Sequence, residues 1–320
     1  MMMMMMNVCS KSVICQRGSR MIRSLMEKKK AWRQDREYRG YGTTSITHKR
    51  KKNWGRCFGT SSLMDKHYQL PMKGSEVDRR VGKELDSLGF SRENTLYVES
   101  SCPDEISKDN KEEDLSLILA ERFGSVFQLG GLGGLPFVGP TGWQICTSHV
   151  PDDGNIFLMY ASQVGFDAET GRCGEVRRAG QKDKLSTSCG ASIAALSALK
   201  ENPNSEPDGM IDHQFGIIKQ LLQPSLSDVL NEDPDEEMIN LSFAMYHVIR
   251  LYLEQIITIK KPKNKIAILG GIMIHQSEVG ADLFQPLSFE LRDGNGNKTD
   301  LCEKTFGVSH LNLISNKKKS

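Results

Sequence analysis

The sequence predicts an α/β fold with a mostly parallel central sheet flanked by helices. From about residue 68 onward, segments of helical periodicity alternate with short apolar runs of strand length, the order that builds sheets covered by helices. The chain has 320 residues, 38% of them hydrophobic, enough to bury a large core as one large domain or two small ones. No apolar run reaches the roughly 18 residues of a membrane span. Even the long apolar stretch at 238–259 is broken by His247, Arg250 and Glu254.

Each element follows from its local chemistry. Ser75 is a plausible N-cap for a helix that carries Val77, Val81, Leu85 and Leu88 on one face, with Gly89 ending it. Residues 94–100 (NTLYVES) read as a strand, and 112–123 as a helix with Leu115, Ile118, Leu119 and Phe123 inward. Residues 129–142 (LGGLGGLPFVGPTG) form a Gly/Pro-rich loop that lacks the GKS or GKT ending of a nucleotide cradle and does not fit GxGxxG, so it is read as a structural or site-lining loop. After the turn PDDG comes a strand at 155–161 (NIFLMYA), then a hairpin through 163–178. The small-residue helix 190–200 (GASIAALSALK) permits close packing, and 201–209 is a surface connector. Residues 235–259 form a long helix whose apolar arc exceeds that of a surface helix, which predicts deep burial or contact with another chain. Strands at 265–275 (KIAILGGIMIH) and 284–291 (FQPLSFEL) complete the sheet.

The net charge of +2 hides an asymmetry, because residues 1–60 carry +12 and the remainder −10. A basic leader that is poor in acids, rich in Ser, Thr and Met, and without a continuous apolar segment reads as an organelle transit segment for a plastid or mitochondrion. A nucleic-acid arm using KRKK at 49–52 with Trp54, or plain disorder, are the competing readings. The expected organisation is a leader over 1–67, a folded domain over 68–312 and a basic tail over 313–320. Cys9, Cys15 and Cys57 fall in the leader, leaving Cys102, Cys146, Cys173, Cys189 and Cys302. That odd number without a CxxC pair suits a reducing compartment rather than a disulfide framework.

Chemistry concentrates where strands end and helices begin. In YVESSCPDEIS (97–107), a strand ends and presents Cys102 and Asp104 two residues apart. In STSCGAS, Cys189 precedes the small-residue helix, with Ser186 or Thr187 available as cap. A thiol at a helix N-terminus feels the positive end of the dipole, which favours the thiolate that binds metal. Two thiolates and a histidine make an open catalytic zinc site. Spacing alone does not establish one, since isolated cysteines are more often small buried hydrophobes.

Several blocks add to that reading: GGLPFVGPTGW (133–143), SHVPDDGNIFLMY (148–160), QVGF (163–166), STSCGA (186–191) and KIAILGGI (265–272). Together they resemble the limiting-CO2-inducible B/C family of algae, over about residues 75–292. The resemblance implies a β-carbonic-anhydrase-like fold, also described as a θ-type carbonic anhydrase, and a homodimer or a pairing with a related subunit. It further implies a zinc ion held by a cysteine of a Cys-x-Asp segment (Cys102), a histidine of an HVG segment and a cysteine before a Gly-Ala helix (Cys189). Asp104 matches the carboxylate that orients or replaces the zinc-bound water.

The middle ligand departs from the pattern, because Gln163-Val164-Gly165 stands where the family reads HVG. A neutral amide oxygen suits zinc poorly beside thiolates. The arginine that β-type enzymes commonly place two residues after the aspartate is Ile106 here, so Arg177 or Arg178 would have to reach the site from the hairpin, against the commoner surface role. His149 is the other histidine inside the matched blocks; His213, His247, His275 and His310 have no motif support. The implied activity is reversible hydration of CO2 to bicarbonate by zinc-bound hydroxide. The alternative is a weak or inactive relative acting as a partner subunit or bicarbonate-binding module. Neither reading requires a membrane span or nucleic acid.

Overall fold

The computed structural model describes residues 62–308 except 105, 107–112, 168, 179–180, 182–183, 205–209, 261 and 278–281. The leader to residue 61, with its transit and nucleic-acid readings, and the tail at 313–320 lie outside the described residues.

The chain enters through helix α1 (Ser62–His67). The expected leader over 1–67 includes these residues, yet Met64 is buried in the core and Tyr68 follows it there. Strand β1 (Met72–Lys73) and helix α2 (Gly74–Ser87) come next. Ser75 does not cap α2, whose N-cap residue is Lys73 and makes no side-chain cap hydrogen bond. Its amide and hydroxyl instead donate to Glu113. Gly89, just past the end, has φ +83°, a conformation that glycine adopts without a steric penalty.

Strand β2 (Thr95–Ser100) leads to helix α3 (Leu115–Phe123), whose N-cap Asp114 accepts from the Leu117 amide. Strand β3 (Val126–Gln128) and helix α4 (Gly139–Thr147) follow, so the Gly/Pro-rich stretch ends as a helical turn rather than as loop throughout. Strand β4 (Asn155–Asp167) is much longer than the apolar run alone suggests, and Gln163 sits inside it rather than in a hairpin. The antiparallel returns are β5 (Arg172–Cys173), which pairs with the end of β4, and β6 (Glu175–Arg177), which pairs with β7 (Leu185–Thr187). Helices α5 (Gly190–Glu201), α6 (His213–Leu222), α7 (Leu226–Val229) and α8 (Pro234–Ile259) precede β8 (Ile266–Ser277) and β9 (Leu283–Arg292). Strand β10 (Lys298–Asp300) and helix α9 (Cys302–Phe306) close the described chain.

The sheet order is β1-β9-β8-β4-β2-β3, with β10 beside β9 and β5 beside β4. Pairing is parallel from β3 through β2 and β4 to β8, then antiparallel at β9. Alternate residues of β4 face two cores. Ile156, Leu158, Tyr160, Val164 and Phe166 point toward the layer of α4, α5, α6 and α8; Phe157, Met159 and Ala161 point toward that of α2, α3 and α9.

The wide apolar arc of α8 is satisfied within the chain. Ile239, Met245, Tyr246, Ile249, Leu253 and Ile256 are all buried in the first core, which removes the sequence argument for that helix as a contact surface. Pro234 at its first turn, the Asp233 cap and the acids Asp235, Glu236 and Glu237 suit the N-terminal end of a helix dipole. Among the described residues no helix is long and apolar enough to cross a membrane.

Ile249 is fully buried, and truncating it leaves a cavity. Ile249→Ala is expected to cost about 2–5 kcal/mol, read as a lower denaturant midpoint with an unchanged slope. A change below 1 kcal/mol would show that α8 is not seated in the core.

Candidate metal centre

Strand β2 ends at Ser100, opposite Tyr160, while β4 and β8 run on together to Asp167 and Ser277, and the candidate site forms beyond the carboxyl end of β2, beside this extension. Open α/β sheets place ligands at such strand ends. Cys102 lies two residues beyond β2. The Gly-rich loop crosses directly over this point: a Cβ at Gly130 would stand 2.2 Å from the Ser101 carbonyl oxygen, and one at Gly134 2.5 Å from the Ala161 oxygen. Ser100 Oγ ties the loop down by donating to the Gly134 carbonyl at 2.9 Å. The loop therefore lines the site, and the backbone amides of Gly133 and Asp104 donate to the Cys102 sulfur.

The β6/β7 hairpin delivers the other half. Gly165 accepts this hairpin closely, since its amide donates to the Ser188 carbonyl at 3.1 Å and a Cβ there would meet Val176 Cγ1 at 2.6 Å. Cys189 follows β7 and is itself the N-cap residue of α5; neither Ser186 nor Thr187 caps that helix. The Cys102 and Cys189 sulfurs stand 3.9 Å apart. Two thiolates on one tetrahedral zinc, each at about 2.3 Å, would be about 3.8 Å apart, so this pair fits one edge of such a site.

Hydrogen bonds favour the Cys189 thiolate. The hydrogen bond shared with Cys102, together with Ser192 and the Gln163 side chain, outweighs burial and lowers the Cys189 pKa. The pKa of Cys102 moves the other way, raised first by the contact with Cys189 and then by burial.

Asp104 is held by Arg178, whose Nη1 and Nη2 donate to the two carboxylate oxygens at 2.6 and 3.0 Å. Nη2 also donates to the Thr187 carbonyl at 3.1 Å. Arg178 thus takes the place of the missing neighbour at Ile106 instead of a surface role. Arg177 does not reach the site and pairs with Asp167 and Glu169.

The third corner is different. Gln163 faces Cys189 on one side, and on the other its Oε1 lies 3.3 Å from His275 Nε2. His275 is fully buried, and its Nδ1 lies 2.7 Å from Asp282 Oδ2. The register explains the contact: Gln163 pairs with Met273 and Gly165 with His275, which puts Gln163 and His275 on one face of adjacent parallel strands. Sequence reasoning left His275 aside. Its only signal was a polar residue ending an apolar strand, and pairing that strand with QVG required the register. His149 is exposed, edge-on to Phe127 at 5.4 Å, and does not join the thiols.

These residues do not complete a zinc set. Two thiols fit, but the remaining neighbour inside the pocket is a carboxamide, and among the described residues no three His, Cys, Asp or Glu side chains gather closely enough to hold a metal ion.

The sequence model of the limiting CO2-inducible proteins B/C, beta carbonic anhydrases, matches residues 71–293, and the chain belongs to that family. Among solved structures it is similar to PtLCIB4, a homolog of the limiting CO2-inducible protein LCIB, at 30% identity and a TM-score of 0.66, covering 74% of this chain and 97% of that one. LCIB itself shares the fold at 22% identity and a TM-score of 0.57, covering 75% of this chain and 97% of the other. Comparison with curated proteins gives no match.

Behind Cys102 lies a buried carboxylate pair. Glu99 accepts from Tyr97, Ser101 and Ser116. Asp114 keeps Oδ2 without a hydrogen-bond partner among the described residues, and burial, opposed by the Leu117 amide and aided by Glu99 and Asp282, pushes its pKa up from 3.8 to about 6. A carboxyl whose pKa is raised in the folded state stabilises the fold below its unfolded pKa and loses that contribution as pH rises through about 6. Asp114→Asn keeps a cap acceptor and removes the charge. It is expected to raise stability at pH 7 by up to about 2–3 kcal/mol and to flatten the dependence between about pH 4 and 6, measured by denaturant midpoints. An unchanged profile would contradict the burial account.

Proposed function

We propose that this chain is a carbonic-anhydrase-like protein of inorganic carbon handling whose own CO2 hydration is weak. In this reading it serves as a bicarbonate-binding or partner subunit beside a second copy or a related chain. One observation carries the reading: Gln163 occupies the third corner and is held between Cys189 and the His275–Asp282 pair. Even loss of groups that merely orient a metal ligand costs about 10–100-fold in affinity or activity, so replacing the ligand itself costs at least that much. The basic leader supports a place in an organelle, plastid or mitochondrion.

A second reading, a working zinc lyase with Cys102, Cys189 and Gln163 at the metal, is favoured by the 3.9 Å thiol pair and by the Asp104–Arg178 ion pair. In that enzyme Asp104, fixed by Arg178, would orient the attacking oxygen.

Stopped-flow CO2 hydration separates the two. The proposal expects slow turnover of the unmutated chain, with Gln163→His raising both zinc affinity and hydration rate by at least about tenfold and Cys189→Ser lowering zinc affinity. Rapid hydration by the unmutated chain would favour the lyase. A folded Gln163→His variant with unchanged zinc affinity and rate would remove Gln163 from the metal position.

A further inference from the structure

We propose that Cys102 and Cys189 form a redox-active dithiol that closes to a disulfide on reaction with a peroxide. The inference rests on the same reading of Gln163, because thiols held in a complete zinc set are shielded and thiols beside a carboxamide are not.

The geometry is that of a pair poised to join. The sulfurs are 3.9 Å apart on independent elements, one on the turn after β2 and one at the start of α5. A disulfide needs an S–S distance of about 2.05 Å, so the two sulfurs together must close by less than 2 Å, within the reach of side-chain rotation. Exposures of 6% and 4% restrict the oxidant to a small molecule such as hydrogen peroxide. Cys189 is the N-cap residue of α5, where the positive end of the helix dipole favours negative charge, which marks it as the attacking sulfur. Cys146, Cys173 and Cys302 are buried as well, and burial pushes each of these thiols up to about 12.

The step balances. The Cys189 thiolate attacks one peroxide oxygen, the O–O bond breaks, and the departing hydroxide takes a proton to leave as water. The Cys102 sulfur then attacks the resulting sulfenic acid; the S–S bond forms, the S–O bond breaks, and a second water leaves with the Cys102 proton. Two thiols lose two electrons and hydrogen peroxide gains them. Closure removes both sulfurs as metal ligands, so the oxidised protein holds no zinc at this site.

The test uses the full chain, reduced and stripped of metal with a chelator, then treated with hydrogen peroxide near equimolar amounts, alkylated and mapped without reduction. Metal removal makes the result independent of how tightly the unmutated site binds zinc, which the hydration assay addresses separately. The expected result is a linked 102–189 peptide lighter by about 2 Da, with Cys146, Cys173 and Cys302 alkylated. In Cys102→Ser the link is lost and Cys189 carries a sulfenic acid that dimedone traps. Recovery of the Cys102 and Cys189 peptides in unlinked, alkylated form would overturn the proposal. So would a Cys102→Ser protein with no sulfenic acid at Cys189.

Discussion

The parallel pairing of β4 fixes nearly everything else. Its first half pairs with β2, from Asn155 to Tyr160, and almost its whole length pairs with β8, from Ile156 to Asp167. Those two ladders set where β2 ends against β4 and where β4 lies against β8, so that Cys102, just beyond β2, comes beside Gln163 and His275 in the stretch where β4 and β8 run on past it. A slip by one residue would exchange the two faces of β4, taking Gln163 away from His275 and its apolar neighbours out of their cores. The helix layers enforce the register: Phe157, Met159 and Ala161 fill one core, while Ile156, Leu158 and Tyr160 fill the other.

The site is assembled from residues of the sheet, Gln163 and His275, and from parts that the sheet brings to them. The β2 end gives Cys102 and Asp104. The β6/β7 hairpin, pressed against Gly165, gives Arg178 just after its outgoing strand and Cys189 just beyond its return. Asp104 and Arg178 satisfy each other with two hydrogen bonds in a partly buried setting, where a charge left alone is costly. The same economy holds at Gln163, whose amide lies between a thiolate and a histidine backed by a carboxylate. A site that keeps its thiol pair and its Asp–Arg pair while replacing an imidazole by an amide has changed the chemistry of one corner without disturbing the scaffold.

Much of this was legible in the sequence. The strands at 94–100, 265–275 and 284–291 and the helices at 190–200 and 235–259 follow from periodicity, and Cys102, Asp104 and Cys189 stand out by their place at element ends. The misses share a physical cause. The length of β4 is hidden because Ser162, Gln163 and Gly165 look like turn residues, although pairing with β8 keeps them in the ladder. Arg178 looks like a surface cation because its partner is remote in sequence. His275 is invisible without the register. The wide apolar face of α8 signals burial correctly, but periodicity cannot tell whether the covering surface belongs to the same chain.

The central claim is that the third corner of the pocket no longer supports a tightly held zinc ion. Its most direct test is the zinc content of the unmutated chain, purified without added metal and equilibrated with a chelator of known zinc affinity. The account predicts well under one zinc per chain where a two-cysteine, one-histidine site would stay filled. One zinc per chain, retained against the chelator, would contradict it.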